Sequence, residues 1–366
     1  METRIWRHFD PIILLAMLCL VGFGLAMIYS ATFERTGAPI DPLVYHQALY
    51  GVIGLLLFLI LSGLDYHVLG NLAWPAYAGS VGLLVLVLAA GRILHGSQRW
   101  VQIGPVQFQP SEIAKLCVVL ALSKFLASNA DNIRSPRVVF GSFLIPCIPI
   151  ALVLLQPDFG TATVYAAIWV GVLFVAGAPK RYFLGLLAAA AAAAPAAWLA
   201  MQAYQRQRIL TFLNPWSDPT NSGYNVIQAL ISVGAGQLFG RGYLSGSQSQ
   251  LHFLRVQYAD FIFSVLAEEL GFVGAVGLLF LFTLVFLRGF RAADRSRELF
   301  GRLICCGIVT MLAYQVVVNV GMNVGMLPVT GVPLPMISYG GSSLMTFMGS
   351  LGILESVVMR HRKFEF

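Results

Sequence analysis

The chain has 366 residues, 58% of them hydrophobic and 11% charged, with a net charge of +7. Soluble domains carry about 25% charged residues, so the composition excludes an ordinary water-soluble protein and implies an all-α, polytopic integral membrane protein. No basic-aromatic pattern for nucleic acid accompanies the positive charge, which is read as anchoring at an anionic membrane surface.

A bilayer core takes about 20 apolar residues per helix. Windows free of charge occur in order at Pro11–Thr32, Pro42–Leu64, Tyr66–Gly91, Val138–Pro157, Phe159–Pro179, Tyr182–Gln205 and Leu270–Leu287. Ser111–Ser128, introduced by Pro110, adds a helix that carries Glu112, Lys115 and Lys124. Leu303–Leu354 holds 52 residues without Asp, Glu, Lys or Arg. Its middle, Leu327-Pro328-Val329-Thr330-Gly331-Val332-Pro333-Leu334-Pro335, cannot continue a helix, so two helices are predicted there. The count is ten. The first is read as a retained helix, being too long for a signal-peptide core. Seven consecutive alanines, Ala188–Ala194, precede Pro195, where a kink is predicted. The five cysteines lie in apolar runs with no metal-type spacing.

With a cytoplasmic N-terminus, fourteen Lys and Arg fall inside and seven outside, the seven being Arg35, Arg92, Arg99, Arg206, Arg208, Arg241 and Arg255. The positive-inside rule then puts both termini in the cytoplasm. The chain reads as one membrane domain, 1–366, with a large extracytoplasmic connection at 204–259. That connection is read as a folded lid, because it carries Trp216, Tyr224, Tyr243 and an apolar run at Val226–Val233.

The rare charges carry the chemistry. Asp260 begins a segment that also holds Glu268 and Glu269. An ionised group in hydrocarbon costs at least about 2.5–3.5 kcal/mol. At about 3.6 residues per turn, Asp260, Ser264 and Glu268 share one helix face, a polar stripe running inward. The alternative is an aspartate cap with two carboxylates paired elsewhere. Lys115 and Glu112 lie three residues apart on one face, as a local ion pair or as the lining of a polar cavity. Glu112, Lys115, Asp158, Arg206, Arg208, Asp260 and Glu268 collect at the outer end. Arginine matches phosphate oxygens, a carboxylate can take a proton from an attacking hydroxyl, and cations can hold the charge of a departing phosphate. The set suits a phosphate-containing, lipid-linked substrate. The glycine-rich Ser338-Tyr339-Gly340-Gly341-Ser342-Ser343 reads as an anion-binding nest or as a flexible start to the last helix.

These residues resemble a known family. Arg99-Trp100, Gln107-Phe108-Gln109-Pro110-Ser111-Glu112-Ile113-Ala114-Lys115, Gln156-Pro157-Asp158-Phe159-Gly160-Thr161, Asp260-Phe261-Ile262-Phe263 with Glu268-Glu269-Leu270-Gly271, and Pro333-Leu334-Pro335 with Ser338-Tyr339-Gly340-Gly341-Ser342 are similar to the SEDS (shape, elongation, division and sporulation) proteins, over essentially the whole chain. Tyr204-Gln205-Arg206-Gln207-Arg208 and Gly246-Ser247-Gln248-Ser249-Gln250-Leu251 resemble the elongation branch more than the division branch. The resemblance implies a peptidoglycan glycosyltransferase in the bacterial cytoplasmic membrane, polymerising lipid II at its outer face. It implies Asp260 as catalytic residue, the polar pair Glu112 and Lys115, and an important loop arginine, Arg208. Asp158, Arg206, Glu268, Ser338, Gly340 and Ser342 are further substrate-binding candidates. It also implies a divalent cation, magnesium or manganese, and a class B penicillin-binding protein, a transpeptidase, as partner. One departure stands out. Family members usually read Leu-Pro-Glu-x-x-Thr-Asp-Phe where this chain reads Leu254-Arg255-Val256-Gln257-Tyr258-Ala259-Asp260-Phe261. A lipid II flippase is the main alternative, since intramembrane charges and Pro/Gly-broken segments also fit transport; a non-catalytic scaffold is the third.

Overall fold

Helix starts are written locally in this chain. Aspartates 10, 41, 65 and 158 each accept a backbone N–H from the first turn that follows, and proline stands at the first helical position after residues 10, 41, 109 and 135, where its missing N–H costs nothing. The computed structural model describes residues 6–33, 40–90, 92–94, 97–103, 106–251, 253–254 and 256–360. Arg4, Arg35, Arg255, Arg362 and Lys363 lie outside the described residues.

The elements are α1 (Pro11–Thr32), α2 (Pro42–Gly63), α3 (Tyr66–Asn71), α4 (Ala73–Ala90), β1 (Arg92–Leu94), β2 (Ser97–Ile103), β3 (Val106–Phe108), α5 (Pro110–Ser128), α6 (Pro136–Leu155), α7 (Phe159–Val175), α8 (Lys180–Ala200), α9 (Ala203–Leu213), α10 (Tyr224–Ala235), α11 (Ser247–Gln250), α12 (Ile262–Arg295), α13 (Leu299–Asn323) and α14 (Gly341–Arg360). Each of the ten apolar segments of the sequence holds a helix, the third being divided at Leu72 into α3 and α4. By length and composition six of the described helices can cross a membrane: α1, α2, α6, α12, α13 and α14. Ala73–Ala89 and Phe159–Val175 are shorter apolar helices. The chain is a multi-pass membrane protein.

The interior belongs to α13 and α14. α14 packs along α2, and α13 lies against α12, α7 and α5. Chain direction alternates from helix to helix, so residues 32, 110, 159, 262, 323 and 341 gather at one end of the bundle. Arg360 donates to the carbonyls of Ser62 and Gly63 at the other end, where Arg288 also meets Asp10 at 3.0 Å.

Two features furnish the first end. The segment before α5 is an antiparallel sheet of order β1-β2-β3, in which Val101 pairs with Phe108. The connection 204–259 is folded, with α9, α10 and α11 inside it. It is anchored by a break in α12 at Gly271 (φ 65°, ψ −164°). The N–H groups of Phe272 and Val273 donate to the carbonyls of Gln237 and Leu238 (2.8 and 3.1 Å), while the carbonyls of Glu268 and Glu269 accept from Arg241 and Gly242 (3.0 Å each). Backbone groups freed by the break are thus satisfied by the connection itself, the condition for irregular backbone at such depth.

A Cβ at Gly271 would collide with Gly240 and Leu238 and would sit at positive φ. Gly271→Ala is expected to cost at least about 1–2 kcal/mol and to lower the apparent melting temperature. Gly277→Ala, on the same helix with nothing within 4 Å, should leave it unchanged. Equal melting of both variants would refute this anchoring role.

Candidate active site

Asp260 lies in the turn before α12, which starts at Ile262. The polar stripe expected from helical spacing is therefore absent. Ser264 turns to Asn323, donating to its Oδ1 at 2.6 Å. Glu268 is fully buried and accepts the N–H groups of Gln248 and Ser249 at 2.8 and 3.1 Å. It holds the start of α11 and does not face Asp260.

What faces Asp260 comes from elsewhere in the chain. With Arg208 of α9 it lines a cavity of about 330 Å³, closed by Gln207, Thr211, Asn225 and the Leu327-Pro328-Val329 segment. Arg208 stacks over Tyr204, 5.9 Å from the ring centroid, and its Nη1 lies 3.5 Å from the Thr330 carbonyl. Gly331, at φ 75°, stands beside the Asp260 carboxylate; a Cβ there would lie 3.8 Å from Oδ2. Among the described residues none hydrogen-bonds the Asp260 carboxylate. Thr211 Oγ1 and Asn225 Oδ1, on the cavity lining, are buried polar atoms without a partner among the described residues.

Asp158 caps α7, accepting from the N–H and Oγ1 of Thr161 at 3.1 and 2.9 Å. Arg99, carried by β2, clasps the same turn. Its guanidinium donates to the carbonyls of Gln156 and Pro157 and lies 3.7 Å from Asp158 Oδ2. Burial raises the Asp260 pKa above the ordinary carboxylate value, Arg208 and Arg99 pull it down, and Asp158 pushes it up. Two carboxylates and two guanidiniums thus share one electrostatic environment.

Residues 11–363 match the family model described as cell cycle protein, the FtsW/RodA/SpoVE family. The chain belongs to this family. It is 39% identical over 359 residues to the peptidoglycan glycosyltransferase MrdB of Escherichia coli strain K12, covering 97% of this chain and 95% of that protein. It is 36% identical over 364 residues to stage V sporulation protein E of Bacillus subtilis strain 168, covering 95% and 96%. Among solved structures it superposes with TM-score 0.84 on a chain of a peptidoglycan synthase complex that coordinates polymerization and crosslinking (36% identity; 97% and 99% covered). Against the Thermus thermophilus rod shape determining protein RodA the TM-score is 0.70 (34% identity; 98% of each chain). The SEDS resemblance read from the motifs and the all-α membrane fold both hold.

The other sequence candidates occupy distinct places in this SEDS protein. Lys115 Nζ bonds Glu112 Oε1 at 2.9 Å and Gln315 Oε1 at 3.0 Å, with all three side chains buried. Lys115 also lies 5.5 Å from the Phe347 ring centroid. Glu112 Oε2 has no partner among the described residues. Arg206 turns away from Asp260 and donates to the Leu199 carbonyl at 2.6 Å. In the glycine-rich segment, Gly340 N–H is taken by Gln47 Oε1 at 3.2 Å, and Ser342 Oγ accepts the Gln109 N–H at 2.9 Å. Ser338 Oγ donates to the Ala259 carbonyl at 2.7 Å. Those groups hold the segment against its neighbours, with Ser338 gripping the residue before Asp260.

Sequence reasoning passed over Arg99, Thr211, Asn225 and the amides Gln315, Asn319 and Asn323 as site residues. The last three recur every fourth residue on an otherwise apolar helix, a signal that a count of charges ignores. The larger apolar groove of about 370 Å³ between α6, α7 and α8 has only Arg181 as a charged lining group, near the start of α8 at the opposite end; the chemistry is not there. Among the described residues no three His, Cys, Asp or Glu side chains converge on a common point.

Difference infrared spectra of the protein against Asp260→Asn isolate the Asp260 carboxylate band. Arg208→Ala removes a charge that stabilises the anion, so the band should titrate at higher pH. Asp158→Asn removes a repelling charge, so it should titrate at lower pH. Shifts of the same sign, or none, would contradict the shared environment.

Proposed function

We propose that Asp260 is the general base of a lipid II polymerase. The observation that carries this is a carboxylate that no described residue hydrogen-bonds, on the wall of a cavity it shares with Arg208. The chain is a peptidoglycan glycosyltransferase by family and by its 39% identity to MrdB. The 4-hydroxyl of the acceptor N-acetylglucosamine attacks C1 of the donor N-acetylmuramic acid. The new O4–C1 bond replaces the C1–O bond to pyrophosphate, the hydroxyl proton passes to Asp260, and the electron pair leaves with undecaprenyl pyrophosphate. A raised pKa makes Asp260 a stronger base. Arg208 offers the planar fork that suits phosphate oxygens. The unpartnered Thr211 Oγ1 and Asn225 Oδ1 supply bonding positions for sugar hydroxyls or the acetamido group.

Lys115 and Glu112 lie within a turn and a half of the start of α5 and are already paired, so their part is to fix α5 against α13 through Gln315. Asp158 holds Arg99, whose charge adds to that of Arg208. A divalent cation, magnesium or manganese, would be held here by Asp260 only together with the substrate. Magnesium takes one or two carboxylates and completes its shell with phosphate oxygens, and Asp260 together with the substrate pyrophosphate would provide that. Such an ion would offset charge on the leaving pyrophosphate.

The arginines and lysines on the chain-terminal side of the helices outnumber those on the Asp260 side, which supports cytoplasmic termini and an extracytoplasmic site in the bacterial inner membrane. The relatedness to a synthase-complex chain supports a cross-linking partner, a class B penicillin-binding protein. The elongation role rests on the likeness to RodA of Thermus thermophilus and to the peptidoglycan glycosyltransferase RodA of Treponema pallidum. A flippase would call for charges at mid-membrane; Asp260, Asp158, Arg99 and Arg208 all stand at one end of the bundle.

Asp260→Asn keeps the shape and removes the basicity. Purified Asp260→Asn, alone and with its transpeptidase, should polymerise lipid II slower by about 10²–10⁴-fold while still binding it. Near-normal glycan chains on a gel would sink the assignment.

A further inference from the structure

No described residue hydrogen-bonds the Asp260 carboxylate, yet the carbonyls of residues 258, 259 and 260 are all held. The Tyr258 carbonyl accepts the Tyr339 N–H at 2.9 Å. The Ala259 carbonyl accepts Ser338 Oγ at 2.7 Å. The Asp260 carbonyl accepts two bonds, from Asn319 Nδ2 at 3.2 Å and Asn323 Nδ2 at 3.1 Å. Both asparagines are fully buried in α13.

The geometry settles which way the amides point. Asn319 Nδ2 also reaches the Val332 carbonyl at 2.8 Å, and Asn323 Nδ2 the Asn319 carbonyl at 2.8 Å. All these partners are acceptors only, so the NH₂ groups must face them. Ser264 Oγ completes the arrangement by donating to Asn323 Oδ1 at 2.6 Å. Asn319 therefore ties the turn before α12 to the 327–335 segment, and Ser264 ties the first turn of α12 to Asn323. Two irregular segments that both line the cavity are fixed to one helix.

We propose that Asn319 and Asn323 are positioning residues of the glycosyl transfer: they fix the base by its main chain and so leave its carboxylate free for substrate. The proposal rests on the reading of Asp260 as base. A base held through its side chain would lose accepting capacity to its own protein. One held through its carbonyl keeps both carboxylate oxygens available and still stays in place. The groups facing that carboxylate are Arg208, Arg99 and Asp158, so a displaced Asp260 also changes its electrostatic surroundings. A displacement of about 1 Å in a reacting group can cost about 10²-fold in rate.

The test uses the full chain with lipid II. Asn323→Leu removes both N–H donors of that amide and keeps the branched shape, while Ser264→Ala removes only the bond that orients Asn323. Asn323→Leu should lower kcat by about 10²-fold with KM for lipid II little changed. Ser264→Ala should show the same pattern more weakly. Unchanged kcat in either folded variant overturns the proposal. Lost activity that follows the melting temperature, or a KM that rises as kcat falls, also overturns it and leaves the amides as packing only. Should Asn323→Leu fail to fold, Ser264→Ala decides alone. Wild type and Asp260→Asn run alongside; an inactive wild type or an active Asp260→Asn defeats the base assignment itself, an outcome separate from that of the asparagines.

Discussion

Backbone that is neither helix nor closed sheet survives at membrane depth only where every N–H and C=O finds a partner inside the protein. This chain places three such stretches at one end of its bundle: the turn before α12, the proline-rich 327–335 segment and the break at Gly271. The first two are held by α13 and by the segment before α14, the third by the 204–259 connection, and the cavity lies beside the first two. An unsatisfied buried polar group costs about 1–3 kcal/mol, so the loss of one such bond is comparable with much of a domain's margin of stability. The backbone around Asp260 is held for that reason, and held backbone allows one side chain to be left for chemistry with no hydrogen bond from the described residues.

The charges divide the work by depth and partner. Lys115 and Glu112 are buried, paired and tied to Gln315, an arrangement whose rupture would leave an uncompensated charge, at about 3–5 kcal/mol. Arg99 and Asp158 join the sheet segment to the start of α7. Arg208 is exposed on α9 and faces the cavity, with only a long 3.5 Å contact to the Thr330 carbonyl and a stacked tyrosine among the described residues. Groups already committed to protein partners set the frame, and the less committed ones, Arg208 and Asp260, are those able to meet a pyrophosphate and a hydroxyl.

Much of this was legible because charge is so scarce in the chain. Asp260 and Arg208 stand out against apolar windows, the Pro-Gly segment before the last helix had to break it, and the ten apolar segments each hold a helix. The rest depended on contacts far apart in sequence. Glu268 looked aligned with Asp260 by helical spacing, but α12 begins after Asp260, so the two never share a face. Arg206 and Arg208 are two residues apart on α9 and therefore point in different directions; only Arg208 reaches the cavity. Gly340 and Ser342 fit an anion nest by composition, yet Gln47 and Gln109, from two other segments, occupy their polar groups. The amides of α13 carry no charge and were invisible to a search for charge. Their spacing of four was the available sign.

The central claim is that the acceptor hydroxyl meets Asp260 while the pyrophosphate meets arginine. The most direct measurement is a structure of the chain with its transpeptidase and a lipid II analogue whose anomeric C–O bond cannot break. The account predicts the 4-hydroxyl of a second sugar at hydrogen-bond distance, about 2.6–3.2 Å, from an Asp260 oxygen, with the pyrophosphate against Arg208 and the sugar in the Thr211–Asn225 cavity. A pyrophosphate lodged on Lys115, with Asp260 remote from any sugar hydroxyl, would contradict it.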